Sequence, residues 1–120
     1  MDAKHAGELI RAERQRQIDD EGWTAEHDDR HDDGALLRAA VFYLHHGTDR
    51  FPSQTQADGS PMGWPWEAKW WKPKDRKSNL IRAGALCLAE KDRLRRARAI
   101  VSHIDHKYRL CVSALIELVE

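Results

Sequence analysis

The chain has 120 residues, with 20 basic and 20 acidic side chains and no net charge. That length fits one domain with a modest core. No run approaches the roughly 18 apolar residues that span a bilayer, and the N-terminus lacks the apolar stretch of a secretory signal, so a soluble, cytoplasmic protein with no membrane partner is expected.

The charge is unevenly placed. Residues 1–34 carry 11 acidic and 5 basic side chains, and residues 69–109 carry 13 basic and 4 acidic. Segments of opposite sign attract one another within a fold or between subunits, and a basic segment can hold a phosphate-bearing ligand. Cys87 and Cys111 lie 24 residues apart without CxxC spacing, and both read as small buried hydrophobes rather than as a disulfide or a zinc site.

Residues 4–21 are rich in helix formers and stop at Gly22. The apolar stripe there is thin, with Ala6, Leu9, Ile10 and Ile18. Residues 22–34 read as a polar loop in which Asp32 or Asp33 can cap the next helix. Residues 35–46 form that helix, because Leu36, Leu37, Ala40, Val41 and Leu44 recur on one face. Residues 1–47 thus hold the N-terminal helices.

Residues 48–62 read as a flexible loop. Residues 63–77 differ, since they hold four of the five tryptophans, Trp64, Trp66, Trp70 and Trp71, among Lys69, Lys72, Lys74, Arg76 and Lys77. A disordered linker does not concentrate large rings this way. Two readings stay open and can coexist: a rigid tryptophan–proline plug over the core, or a lid whose rings stack on a base while cations meet phosphate.

From residue 78 to 119 there is no proline, and only Gly84 could weaken a helix. Leu80, Ala83, Cys87, Glu90, Leu94, Ala97, Val101, Ile104, Tyr108, Cys111, Leu115 and Leu118 follow 3-4 spacing without a slip. This heptad a/d pattern predicts one long C-terminal helix, with 94–119 available for self-association into a homo-oligomer. The alternative is a break near residues 102–106 that folds the last segment back. The expected fold class is therefore all-α, with three main helices, a tryptophan-rich irregular lid and the long helix, in a single domain.

The run His27-Asp28-Asp29-Arg30-His31-Asp32-Asp33 has the donor types of a metal site, but a contiguous run is read as a hydrated, capped turn. Glu13, Asp19, Asp20 and Glu21 on the first helix, with Glu90 and Asp92 later, fall short of a two-helix acidic cage for magnesium. No glycine-rich phosphate loop or nucleophilic triad is present. No catalytic residue, metal or cofactor is assigned.

Two resemblances attach to these residues. The stretch Glu13-Arg14-Gln15-Arg16-Gln17-Ile18, through Glu21-Gly22-Trp23-Thr24 and His27-Asp28-Asp29, with the later Trp64-Pro65-Trp66 and Trp71-Lys72-Pro73, resembles a widespread family of small phage and prophage proteins. Ile18, Glu21-Gly22-Trp23 and Asp28-Asp29, with Pro65-Trp66-Glu67 and Lys72-Pro73-Lys74-Asp75-Arg76, more distantly resemble the two halves of the ryanodine-receptor repeat domain. Here a helix and a loop separate those halves. The opening Glu-Arg-x-Arg-Gln and the late alanine- and leucine-rich helix also resemble all-α magnesium-dependent nucleotide pyrophosphohydrolases, of which this chain would be a degenerate relative.

The repeat-domain resemblance implies a non-catalytic module for a small nucleotide-derived ligand, which in a phage setting could sequester a host immune signal. It implies a pocket built from Trp23, Asp28, Asp29, Trp66, Lys72, Asp75 and Arg76; the tryptophan-rich segment adds Trp64 and Trp71. Nucleic acid is not the expected partner. The alternatives are the pyrophosphohydrolase and a helix-mediated protein-interaction module.

Overall fold

The computed structural model describes residues 1–48, 55–97 and 102–118. It is all-α, with five helices among the described residues: α1 (Ala3–Glu21), α2 (Ala25–Asp29), α3 (Ala35–Thr48), α4 (Arg76–Arg96) and α5 (Ser102–Glu117). None of these helices is long and apolar enough to cross a membrane.

Local chemistry sets most of the helix ends. Asp2 caps α1 by accepting from the His5 N–H at 2.8 Å. Gly22 closes α1 in the left-handed region at φ 72°, where a Cβ is unfavourable. Thr24 then caps α2, its hydroxyl accepting from the His27 N–H. The loop expected over 22–34 therefore contains a short helix. Its acidic first-turn residues Glu26 and Asp28 suit the positive end of the helix dipole. Asp33, one of the two acids expected to cap α3, accepts from the Ala35 N–H at 3.1 Å. Asp75 caps α4, while Arg93, Arg95 and Arg96 occupy its last turn, where cations are favoured.

Helix α4 is central and packs on α1, α2, α3 and α5. Its inward residues Leu80, Ala83, Leu86, Cys87 and Ala89 meet Ala6 and Ile10 of α1, Leu36, Ala39, Ala40 and Tyr43 of α3, and Ile104, Cys111 and Leu115 of α5 in one core. Small residues allow a close approach at Gly84, where an added Cβ would lie 2.6 Å from Ile10 Cδ1.

The expected single helix over 78–119 is two helices. α4 ends at Arg96 and α5 begins at Ser102. Lys91 pairs with Asp105, and the Cys111 thiol meets that of Cys87, so α5 runs antiparallel to α4. The Cys87 contact and burial push the Cys111 thiol well above its usual range. An uninterrupted helix would be roughly 60 Å long at about 1.5 Å per residue; the longest dimension of the molecule is 39 Å. A heptad stripe specifies that a helix partner exists, not whose chain supplies it. Here Leu80, Ala83, Cys87, Ile104, Cys111 and Leu115 bury the stripe within one chain. Glu90, the one charged seam position, is also buried and pairs with Arg93. On α5 the large apolar residues left exposed are Leu110 and Ile116.

Part of the expected flexible loop lies outside the described residues, namely 49–54. The rest forms a hydrogen-bonded turn. The Gln56 N–H donates to the Ser60 carbonyl at 2.7 Å, and the Ser60 hydroxyl donates to Asp58 at 2.6 Å. That pair of bonds from Ser60 holds the Asp58 carboxyl below its usual range.

Candidate functional site

The tryptophan segment does two jobs. Trp64 and Trp71 form a plug on α3. Trp64 is 7 % exposed, and its ring meets Tyr43 edge-on at 5.8 Å and Phe42 at 6.0 Å. Its indole N–H donates to the Glu67 carbonyl at 3.2 Å. Trp71 packs on Tyr43 at 4.7 Å and on His46 at 5.5 Å. The Tyr43 hydroxyl donates to the Trp70 carbonyl and accepts from the Lys72 N–H, which pins the segment's backbone to α3.

The other rings open onto a cleft of about 370 Å³. Two segments line it: Trp23, His27 and His31 from around α2, and Pro65, Trp66, Glu67 and Trp70 from the tryptophan segment. The rings of Trp23 and His27 stack in an offset arrangement, their centroids 5.6 Å apart and their planes 2° from parallel. Trp66 stands edge-on to both Trp23 and His31, at 5.5 and 5.6 Å. Trp70 tilts toward Trp23 at 6.2 Å. Burial, and then the neighbouring His27, lower the pKa of His31 below its ordinary value, which favours the neutral ring among these tryptophans. Lys69 and Lys72 place their ammonium groups 5.4 and 5.2 Å from the Trp70 ring centroid, so cations flank the cleft without lining it.

The α2 segment is held by ion pairs from two helices. Asp28 is fully buried and pairs with Arg14 of α1. The same guanidinium donates to the Trp23 carbonyl at 3.1 Å. From α4, Arg96 donates to Asp29 at 2.8 and 3.0 Å. A helix as short as α2 is marginal alone, and these tertiary bonds fix it.

Of the residues expected in a pocket, the structure brings Trp23 and Trp66 together in the cleft. Asp28 lies directly behind it, and Lys72 beside it, 3.6 Å from Glu21. Asp29 is engaged by Arg96. Trp64 and Trp71 belong to the plug. Asp75 is the α4 cap, its carboxyl held below the usual range by the Ser78 N–H and hydroxyl. Arg76 is exposed at the start of α4 and does not line the cleft. His27, His31, Pro65, Glu67 and Trp70 line the cleft but were not among the expected ligand residues. The signal for the histidines was present: Trp23, His27 and His31 are spaced i, i+4, i+8, which places them along one side of a helical turn.

The acids of the pyrophosphohydrolase alternative are separated by arginines. Arg16 lies between Glu13 and Glu21, at 2.6 and 3.4 Å, and Arg82 also approaches Glu13 at 3.8 Å. Those three contacts commit Glu13 and Glu21 to arginines. Glu90 pairs with Arg93, and Asp19 and Asp92 are exposed. Among the described residues no group of three or more histidines, cysteines or carboxylates converges as a metal site would require.

Compared with family models, curated proteins and solved structures, the chain matches none.

Proposed function

We propose that the protein binds a small nucleotide-derived ligand without transforming it, holding the planar ring of that ligand in the cleft lined by Trp23, His27, His31, Trp66 and Trp70. The observation that carries this reading is a cleft of about 370 Å³ whose lining is mostly tryptophan and histidine rings. Small-molecule sites are concave, mostly aromatic and furnished with a few polar groups. Stacking of a base on such rings contributes about 1–3 kcal/mol per base. Lys69 and Lys72 beside Trp70 supply positive charge for a phosphate at the rim. Retention of a nucleotide signal, as in sequestration by a phage protein, fits a cleft with no convergent acids beside it.

The test is a thermal-shift and native-mass screen against linear and cyclic nucleotides, with the small molecule weighed after release. A stabilising nucleotide recovered intact, and lost on Trp66→Ala, is the expected outcome. A ligand recovered cleaved only when magnesium is present would replace this reading with the pyrophosphohydrolase.

A second reading has one observation in its favour. Glu67 lines the cleft, its exposed carboxylate 3.7 Å from Lys69, and among the described residues no lysine or arginine lines it. Aromatic faces with a nearby carboxylate also suit a quaternary ammonium. Tetramethylammonium in the same screen separates the two, because a shift with it and with no nucleotide would move the assignment.

A further inference from the structure

Asp28 is a buried charge whose bonds extend beyond its ion pair. One carboxylate oxygen meets Arg14, and the other lies 2.9 Å from Nδ1 of His27. Arg14 and Asp28 are 11 % and 0 % exposed, so solvent does not compete strongly for either. A carboxylate paired with a guanidinium only accepts hydrogen bonds, so Nδ1 must donate. The bond made by one ring nitrogen sets the state of the other. In a neutral ring with Nδ1 protonated, Nε2 carries a lone pair and no hydrogen.

The position of that lone pair follows from three further facts. The ring of His27 lines the cleft and is held flat against Trp23. No group among the described residues bonds Nε2. The buried polar side-chain atoms without a partner are Gln17 Oε1 and Trp66 Nε1, so Nε2 of His27 is not sealed inside the protein. It is a polar atom without a protein partner among the described residues, on a ring that lines the cleft.

We infer that His27 is the fixed hydrogen-bond acceptor of the cleft, with Asp28 and Arg14 as positioning residues, and that the bound ring presents an N–H donor to Nε2. The ligand identity in this inference rests on the nucleotide reading; the state of the imidazole does not. The ligand class narrows accordingly, to planar heteroaromatics with an amino or imide N–H on the edge that enters the cleft. A ring with only acceptors along that edge would set lone pair against lone pair at Nε2.

Two measurements test this. Long-range proton–nitrogen NMR on the whole chain, at about pH 8 where an ordinary imidazole is neutral, reads which nitrogen of His27 carries hydrogen. Free neutral imidazoles favour Nε2–H, so the Nδ1–H form expected here is diagnostic of the lock. An Nε2–H form overturns the inference whether or not any ligand is known.

Tryptophan-fluorescence titration with the four common nucleoside 5′-monophosphates tests the ligand side. His27→Phe keeps a ring against Trp23 but offers no acceptor, and should weaken whichever nucleotide binds by about tenfold, the equivalent of one neutral hydrogen bond. His27→Gln, which returns an amide oxygen near the Nε2 position, should recover part of that loss. Unchanged affinity in His27→Phe overturns the inference. Should His27→Phe fail to fold, the NMR result on the unaltered chain decides. An Nδ1–H ring together with no binding of any nucleotide removes the nucleotide reading and leaves the acceptor standing.

Discussion

His31 couples the cleft to pH. Its folded pKa is depressed, chiefly by burial and then by His27, so the unfolded chain takes up its proton more readily than the folded one. Stability rises with pH wherever the unfolded state holds more protons. The His31 contribution is thus complete above the unfolded value of about 6.5 and is lost as pH falls toward and through the lowered folded value. Urea titrations across that window should show a falling midpoint in the parent, and a shallower fall in His31→Gln. Equal slopes would show that His31 does not carry the effect. Asp28 makes a larger demand. Asp28→Ala leaves Arg14 in a largely buried site without its carboxylate, and loss of one partner of a buried pair costs about 3–5 kcal/mol. Chemical denaturation measures this directly; a loss under about 1 kcal/mol, the range of exposed pairs, would mean that solvent reaches Arg14 freely.

At the scale of elements, α1 and α4 meet where Gly84 admits Ile10. Intrinsic propensity favours alanine over glycine in a helix by about 1 kcal/mol. Contact geometry opposes it, because the new Cβ would lie 2.6 Å from the Ile10 Cδ1 atom and 2.9 Å from Cγ1. Overpacking costs about 1–3 kcal/mol, so Gly84→Ala should lower the denaturation midpoint despite its better propensity. A raised midpoint would show that Ile10 moves aside readily. The antiparallel pairing of α4 and α5 makes the complementary point. Period and composition gave the right residues for burial in Cys87, Ile104, Cys111 and Leu115, but the same stripe serves an intermolecular coiled coil and an intramolecular hairpin. A neighbouring segment of the same chain has a high effective concentration, which favours the hairpin.

Considered whole, the molecule buries Leu80, Ala83, Cys87, Ile104, Cys111 and Leu115 of the seam that suggests self-association, while Ala97 is exposed and Val101 lies outside the described residues. Leu115→Asp places an unpaired charge in the core and should unfold the chain, with loss of far-ultraviolet helicity, rather than split an intact oligomer. Ile116→Asp, on the exposed side of α5, should change stability by no more than about 0.5 kcal/mol. Light scattering on that variant tests association through residues 94–119, for which Leu110 and Ile116 provide the exposed apolar surface; a reduced mass would locate the contact there. The cleft is also a property of the whole. It joins residues 23–31 to residues 65–70, which lie on either side of α3 in the chain, and the ion pairs of Arg14 and Arg96 hold α2 from α1 and α4.

Local reading of the sequence sufficed for the helical class, the stop at Gly22, an aspartate ahead of α3, and the burial of Leu36, Ala40 and Leu44 on α3 and of Leu80, Ala83 and Cys87 on α4. These follow from local rules of backbone geometry, capping and hydrophobic period, which act within a turn or two of chain. Only the tertiary structure decided that the late stripe closes on itself, that Trp64 and Trp71 are plug while Trp66 and Trp70 are cleft, and that Asp75 is committed to a helix cap. It also turned a run of histidines and aspartates into a short helix, with Asp28 facing inward and His27 along the cleft. Those outcomes depend on which distant groups arrive at each side chain: Arg14 at Asp28, Arg96 at Asp29 and Tyr43 at the tryptophan segment. Spacing along a chain states what a residue can do, and long-range burial and charge pairing select which of those things it does.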